Sequence, residues 1–217
     1  GRDDINIWCT KNMKFVTVYI SVLFLALTIS SSPAYAKQIL VFGDSLSSGY
    51  GISENEGWVA KLAVLLEAEH QVANASVSGE DTVTGLARLP ALLELNKPDV
   101  VIIELGGNDG LRAYQLEKTR DNLDKMISLA KQADVRVVLA GIRVPPNYGP
   151  RYTQGFAKLF PELAREQEVA YLDMYIENIA LDPSKMQGDG IHPAAIAQPE
   201  IASYVHTFLM NENLLSE

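Results

Sequence analysis

A serine, a histidine and an aspartate can cleave an acyl bond when a fold brings them together. The histidine takes the serine's proton, and the aspartate orients the histidine and stabilises its charged form. This chain carries such a set in two distant pieces, Gly43-Asp44-Ser45-Leu46 and Asp189-Gly190-Ile191-His192-Pro193. Asp189 and His192 are three residues apart in a glycine-flanked loop, so their side chains can meet locally. Two further pieces supply candidate oxyanion donors: Gly79, through a bare backbone N–H, and Gly106-Gly107-Asn108-Asp109, through the Asn108 amide. The Ser45 N–H is a third candidate if a helix starts there.

Each piece also has a structural reading. Asp44 or Ser45 after a strand can simply cap a helix. Asp189-Gly190 can be a surface turn, and Gly-Gly-Asn-Asp suits a tight strand-to-helix connection. Gly79 can merely permit a positive φ. The serine piece is not the G-x-S-x-G elbow, because Ser47 occupies the second glycine position, so an α/β-hydrolase assignment is disfavoured. His70 and His206, which lack the glycine context of the His192 loop, read as ordinary helix-face residues.

Other chemistries lack their residues. With three histidines and no paired histidine spacing, no metal site is expected. Neither G-x-G-x-x-G nor a Walker A sequence occurs, so no cofactor is expected. A formal net charge of −9, without a basic stripe, argues against nucleic acid and against charge-driven binding to anionic membranes.

The elements that must position these residues follow from alternating patterns. Apolar runs at Gln38–Phe42, Gln71–Ala75, Asp99–Leu105, Arg136–Ile142 and Val169–Leu172 read as strands. Helical spacing occupies Trp58–Glu67, Leu86–Leu95, Leu116–Ala133, Phe156–Gln167 and Ile196–Leu209. Strands alternating with helices predict a parallel, doubly wound sheet in an α/β three-layer sandwich. Near-continuous apolar strands fit burial on both faces. In such sheets sites form beyond the carboxyl ends of the strands. Ser45, Gly79, Asn108, Asp189 and His192 all follow strands, so all fall at that edge.

Residues 1–36 read differently. Lys11 and Lys14 precede an uncharged run from Phe15 to Ile29, followed by Ser30-Ser31-Ser32-Pro33 and Ala34-Tyr35-Ala36. A basic start, a short apolar stretch and an A-x-A end predict a signal peptide starting at Met13 and cut after Ala36. The alternative, a membrane anchor, would need roughly 20 apolar residues. The expected mature domain is residues 37–217, periplasmic or secreted. It would lack the chain's single cysteine, Cys9.

The four pieces together resemble the SGNH, or GDSL, hydrolase family, and within it the bacterial periplasmic multifunctional thioesterases. Asn74-Ala75-Ser76, Gly85-Leu86-Ala87-Arg88-Leu89-Pro90, Glu104-Leu105-Gly106-Gly107-Asn108-Asp109-Gly110-Leu111-Arg112 and Pro146-Asn147-Tyr148-Gly149 extend the resemblance across residues 38–210. It implies a flavodoxin-like fold with five parallel strands, Ser45 as nucleophile, His192 as base and Asp189 as its orienting partner. The Ser45 and Gly79 N–H groups and the Asn108 side chain would form the oxyanion hole. It also implies a monomer hydrolysing a small-molecule acyl thioester or ester, lysophospholipids included. Val144 and Pro145 stand in the loop expected to close over the acyl chain. Val144-Pro145 and Glu80-Asp81 depart from the residues frequent in the family. An arylesterase or carbohydrate acetylesterase, a non-catalytic binding module and a flavin-binding protein are the alternatives.

Overall fold

The computed structural model describes residues 36–216 except 68 and 175. All of the predicted signal peptide but Ala36 therefore lies outside the described residues. Five strands form one parallel sheet: β1 (Gln38–Gly43), β2 (Gln71–Asn74), β3 (Val100–Glu104), β4 (Arg136–Gly141) and β5 (Ala170–Asp173), in the order β2-β1-β3-β4-β5. This is the α/β architecture expected from the alternating pattern. The helices are α1 (Ser45–Ser48), α2 (Trp58–Leu66), α3 (Thr82–Asn96), α4 (Gly107–Leu111), α5 (Leu116–Gln132), α6 (Pro150–Glu166), α7 (Glu177–Ala180) and α8 (Gln198–Asn211).

The central strands bury both faces. Leu40, Phe42, Val101, Ile103 and Leu139 point to one side, where α3, α5 and α6 pack with Leu89, Leu123, Met126 and Phe160. Ile39, Val41, Ile102 and Val138 point to the other, against Trp58 and Leu62 of α2 and Ile201 and Val205 of α8. The strand period of two thus feeds two cores at once, which is why these strands read as continuous apolar runs. Each such fully buried Leu, Ile or Phe side chain contributes about 1.5–3 kcal/mol.

Two helices begin earlier than apolar periodicity suggests. Thr82, not Leu86, opens α3, because Asp81 caps it: the Asp81 carboxylate accepts from the Thr84 N–H at 3.0 Å. Pro90 sits inside this helix, on its exposed side, where water can satisfy the carbonyl it leaves unbonded. Pro150 opens α6 at the first helical position, where its missing N–H costs nothing. His70 also departs from expectation. It lies in the turn before β2, buried, and its Nδ1 accepts from the Lys37 N–H at 3.2 Å.

After β1 the chain turns outward to β2, and it returns across the sheet to β3. The crevice at this switch point lies between the carboxyl ends of β1 and β3. Gly43 and Glu104 pair in register there, and the Asp44-Ser45 and Gly106-Asn108 segments follow them. No helix among the described residues is long and apolar enough to cross a membrane.

Candidate active site

Ser45 is the first residue of α1. Asp44 caps this short helix, with its carboxylate accepting from the Leu46 N–H at 3.1 Å. The Ser45 Oγ lies 2.8 Å from His192 Nε2. The opposite ring nitrogen, Nδ1, lies 2.8 Å from Asp189 Oδ2. Asp189 Oδ1 accepts the Ile191 N–H at 2.9 Å and the His192 N–H at 3.0 Å. One carboxylate therefore shapes its own loop with one oxygen and orients the imidazole with the other. Burial pushes the Asp189 carboxyl up, but the bonds from His192 and the Ile191 N–H outweigh it and hold it at about 2. The group is ionised over the whole neutral range, ready to receive Nδ1–H.

With Nδ1 protonated toward Asp189, Nε2 is the acceptor for the Ser45 hydroxyl, and the serine can be deprotonated as it attacks. The Tyr50 ring covers the imidazole at 4.7 Å between centroids, tilted by 43°. Tyr50 is itself exposed. Nothing in its local sequence signals this contact.

Asp44 and Ser48, on either side of Ser45, are tied to Asn108 and to Ser78, the residue before Gly79. Gly79 has φ +81, a conformation costly for any residue with a Cβ. Its carbonyl accepts from Arg112 at 3.2 Å, and Arg112 also pairs with Asp81 at 3.0 Å. Neither the Ser45 N–H nor the Gly79 N–H meets an acceptor among the described residues. The Asn108 amide is more constrained: its Nδ2 lies 3.1 Å from Asp44 Oδ2 and 3.0 Å from the Glu80 carbonyl. Both amide protons are thus engaged, and the side chain stitches the ends of β1 and β3 to the segment after β2.

These residues sit on a buried acidic floor that local patterns do not reveal. Asp44 is 2% and Glu104 0% exposed. Burial pushes the Asp44 carboxyl up to about 6, against the pull of the Leu46 N–H, the Asn108 amide and nearby His192. Glu104 is driven well above the usual carboxylate range, first by burial and then by the Asp44 charge.

A cavity of about 640 Å³ opens beside the serine, with Leu46, Val144, Pro145, Ile179, Leu181 and Ile191 among its walls. Val144 and Pro145 are where the loop expectation put them, although Val144 is almost buried, at 8% exposure, and belongs to the core shared with Phe156. A Ser-His-Asp hydrogen-bonded chain thus stands at a flavodoxin-type switch point, beside a largely apolar cavity.

The profile of the GDSL-like lipase/acylhydrolase family matches residues 41–198. The chain belongs to this family. It is 43% identical over 187 residues to thioesterase 1/protease 1/lysophospholipase L1 of Escherichia coli strain K12, covering 86% of this chain and 89% of that protein. It is 45% identical over 187 residues to an arylesterase of Vibrio mimicus, covering 85% and 92%. The crystal structure of TesA superposes with a TM-score of 0.77 at 42% identity, covering 81% of this chain and 99% of that one. The GDSL-like match spans both the Ser45 turn and the His192 loop, so the family's segment and the geometric site coincide.

Proposed function

We propose that the protein hydrolyses fatty acyl thioesters and esters, lysophospholipids included, through an acyl-enzyme on Ser45. The observation that carries this reading is the 2.8 Å contact from Ser45 Oγ to His192 Nε2, beside a largely apolar cavity. His192 takes the Ser45 proton as Oγ attacks the acyl carbonyl. The oxyanion collects on the Ser45 and Gly79 N–H groups and on the Asn108 amide, which turns a donor from the Glu80 carbonyl toward it. His192 then protonates the departing thiolate or alkoxide. Water attacks the acyl-Ser45 carbonyl by the same route in reverse, releasing the acid. Asp189 steadies the imidazolium in both halves.

The relatives' names, thioesterase, lysophospholipase and arylesterase, divide on the acyl and leaving groups rather than on the machinery. A cavity of this size and wall chemistry favours an acyl tail over acetyl. A kinetic panel of acyl-CoA, p-nitrophenyl ester and lysophospholipid substrates of graded chain length tests the reading. kcat/KM that rises with acyl length supports it, and a maximum at acetyl would replace it with the arylesterase or acetylesterase reading.

Val144 offers a finer test. Val144→Leu adds one methylene to the cavity wall, worth about 0.8 kcal/mol of apolar contact. The expected result is a several-fold rise in the long-chain to short-chain ratio of kcat/KM, with the acetyl ester rate unchanged. Because Val144 also packs in the core, thermal unfolding is followed in parallel. A lowered Tm with no change in the ratio would assign the side chain to the core rather than to the acyl tail.

Export to the periplasm or medium, by cleavage after Ala36, is part of the same reading. Its support is the order of basic, apolar and A-x-A segments. N-terminal sequencing of the exported protein is expected to begin at Lys37. Recovery of residues 13–36 on membrane-bound protein would overturn it.

A further inference from the structure

We propose that Glu104 is a positioning residue for the reaction at Ser45, holding the nucleophile turn from behind as an uncharged carboxylic acid. The inference rests on Ser45 being the nucleophile.

Glu104 ends the central strand β3, directly beside Gly43 in the sheet register. Its Oε2 accepts from the Ser47 hydroxyl at 2.7 Å and from the Asp44 N–H at 3.3 Å. Those two donors bracket Ser45 in sequence, so a single oxygen fixes both sides of the turn. The space for it exists because residue 43 lacks a side chain. A Cβ on Gly43 would lie 2.6 Å from Glu104 Oε2 and 2.8 Å from the Ser47 Oγ. The glycine ahead of Asp44-Ser45 is therefore matched to the carboxyl behind it.

The other oxygen, Oε1, is buried and has no hydrogen-bond partner. Among the described residues no cation pairs with Glu104, and the ionisable group nearest in effect is another carboxyl, Asp44. A carboxylate placed there would be buried, unpaired and next to a like charge, far costlier than an unbonded hydroxyl. A neutral acid resolves this. Its carbonyl oxygen accepts from Ser47 and Asp44, and the proton sits on Oε1. Neutrality also protects the site, because Asp44 holds both the Leu46 N–H and the Asn108 amide. Charge on Glu104 would repel the carboxylate that steadies nucleophile and donor together. Asp109 and His192 are the other ionisable groups acting on Asp44.

The test compares Glu104→Gln with Glu104→Ala and adds infrared spectroscopy of the unaltered protein. Glutamine keeps an uncharged carbonyl at the Oε2 position, whereas alanine removes it. Glu104→Ala is expected to lower kcat on the order of 10²-fold, the scale of a misplaced reacting group, with KM little changed. Glu104→Gln is expected to recover most of that loss. At pH 8, where Asp44 with its value of about 6 is ionised, the unaltered protein should still show the carbonyl stretch of a neutral carboxylic acid. Glu104→Gln should lack it. A folded Glu104→Gln as slow as Glu104→Ala would overturn the proposal. So would absence of the neutral-acid band, a measurement that needs no variant to fold. Failure of Ser45 as nucleophile would appear separately, as fluorophosphonate labelling that survives in Ser45→Ala.

Discussion

Ser45→Ala is expected to lower kcat by about 10⁵-fold or more, the scale seen when a serine nucleophile is removed from a hydrolase of this type. The structure isolates the effect to chemistry. Ser45 Oγ makes its hydrogen bond to His192, while the cap on α1 comes from the Asp44 carboxylate. Loss of the hydroxyl should leave the turn and the thermal stability nearly intact. The neighbouring serines are engaged elsewhere: Ser47 donates to Glu104, and Ser48 pairs with Ser78 at 3.1 Å. A fluorophosphonate probe should therefore label Ser45 in the unaltered protein, and Ser45→Ala should remain unlabelled. Labelling that persists in the alanine variant, or turnover reduced only several-fold, would move the nucleophile to another residue.

Much of this was legible from sequence, for reasons that differ by residue. Runs such as Val100–Ile103 are apolar throughout because the strand is buried on both faces, so strand existence follows from the run itself and parallel pairing from its alternation with helices. Ser45, Asn108 and His192 stood out because they follow strands at the edge where such sheets build sites. What stayed hidden depends on contacts between distant positions. Glu104 and Ser47 are 57 residues apart, and local pattern offers Glu104 only as the polar end of a strand. Tyr50 over His192 is a contact of the same kind. The start of α3 is hidden from periodicity for the opposite reason. Its signal is local, in Asp81 and Thr84, but periodicity weighs apolar residues and passes over a polar first turn. His70 reads as a helix-face residue because its partner is a backbone N–H far away in sequence, at Lys37.

Asn108→Ala is expected to lower kcat by about 10²–10³-fold, the usual cost of losing one oxyanion donor. The resting geometry makes the prediction sharper than a motif would. Nδ2 already serves Asp44 Oδ2 and the Glu80 carbonyl, so the amide has two separable jobs. As a tether it joins the Ser45 turn to the segment carrying Gly79. As a donor it must release the Glu80 carbonyl and follow the developing negative charge. Removing a tether costs stability, about 0.5–1.5 kcal/mol for a hydrogen bond of this type, and affects ground state and transition state alike. Removing a donor used only in the transition state lowers kcat and kcat/KM together and leaves KM alone. The measurement is therefore kcat, KM and Tm on the same preparation. A 10²-fold fall in kcat with unchanged KM and a small drop in Tm assigns Asn108 to the oxyanion. A lowered Tm with turnover near that of the unaltered protein would leave it as the tether alone, with the Ser45 and Gly79 N–H groups as the remaining donors.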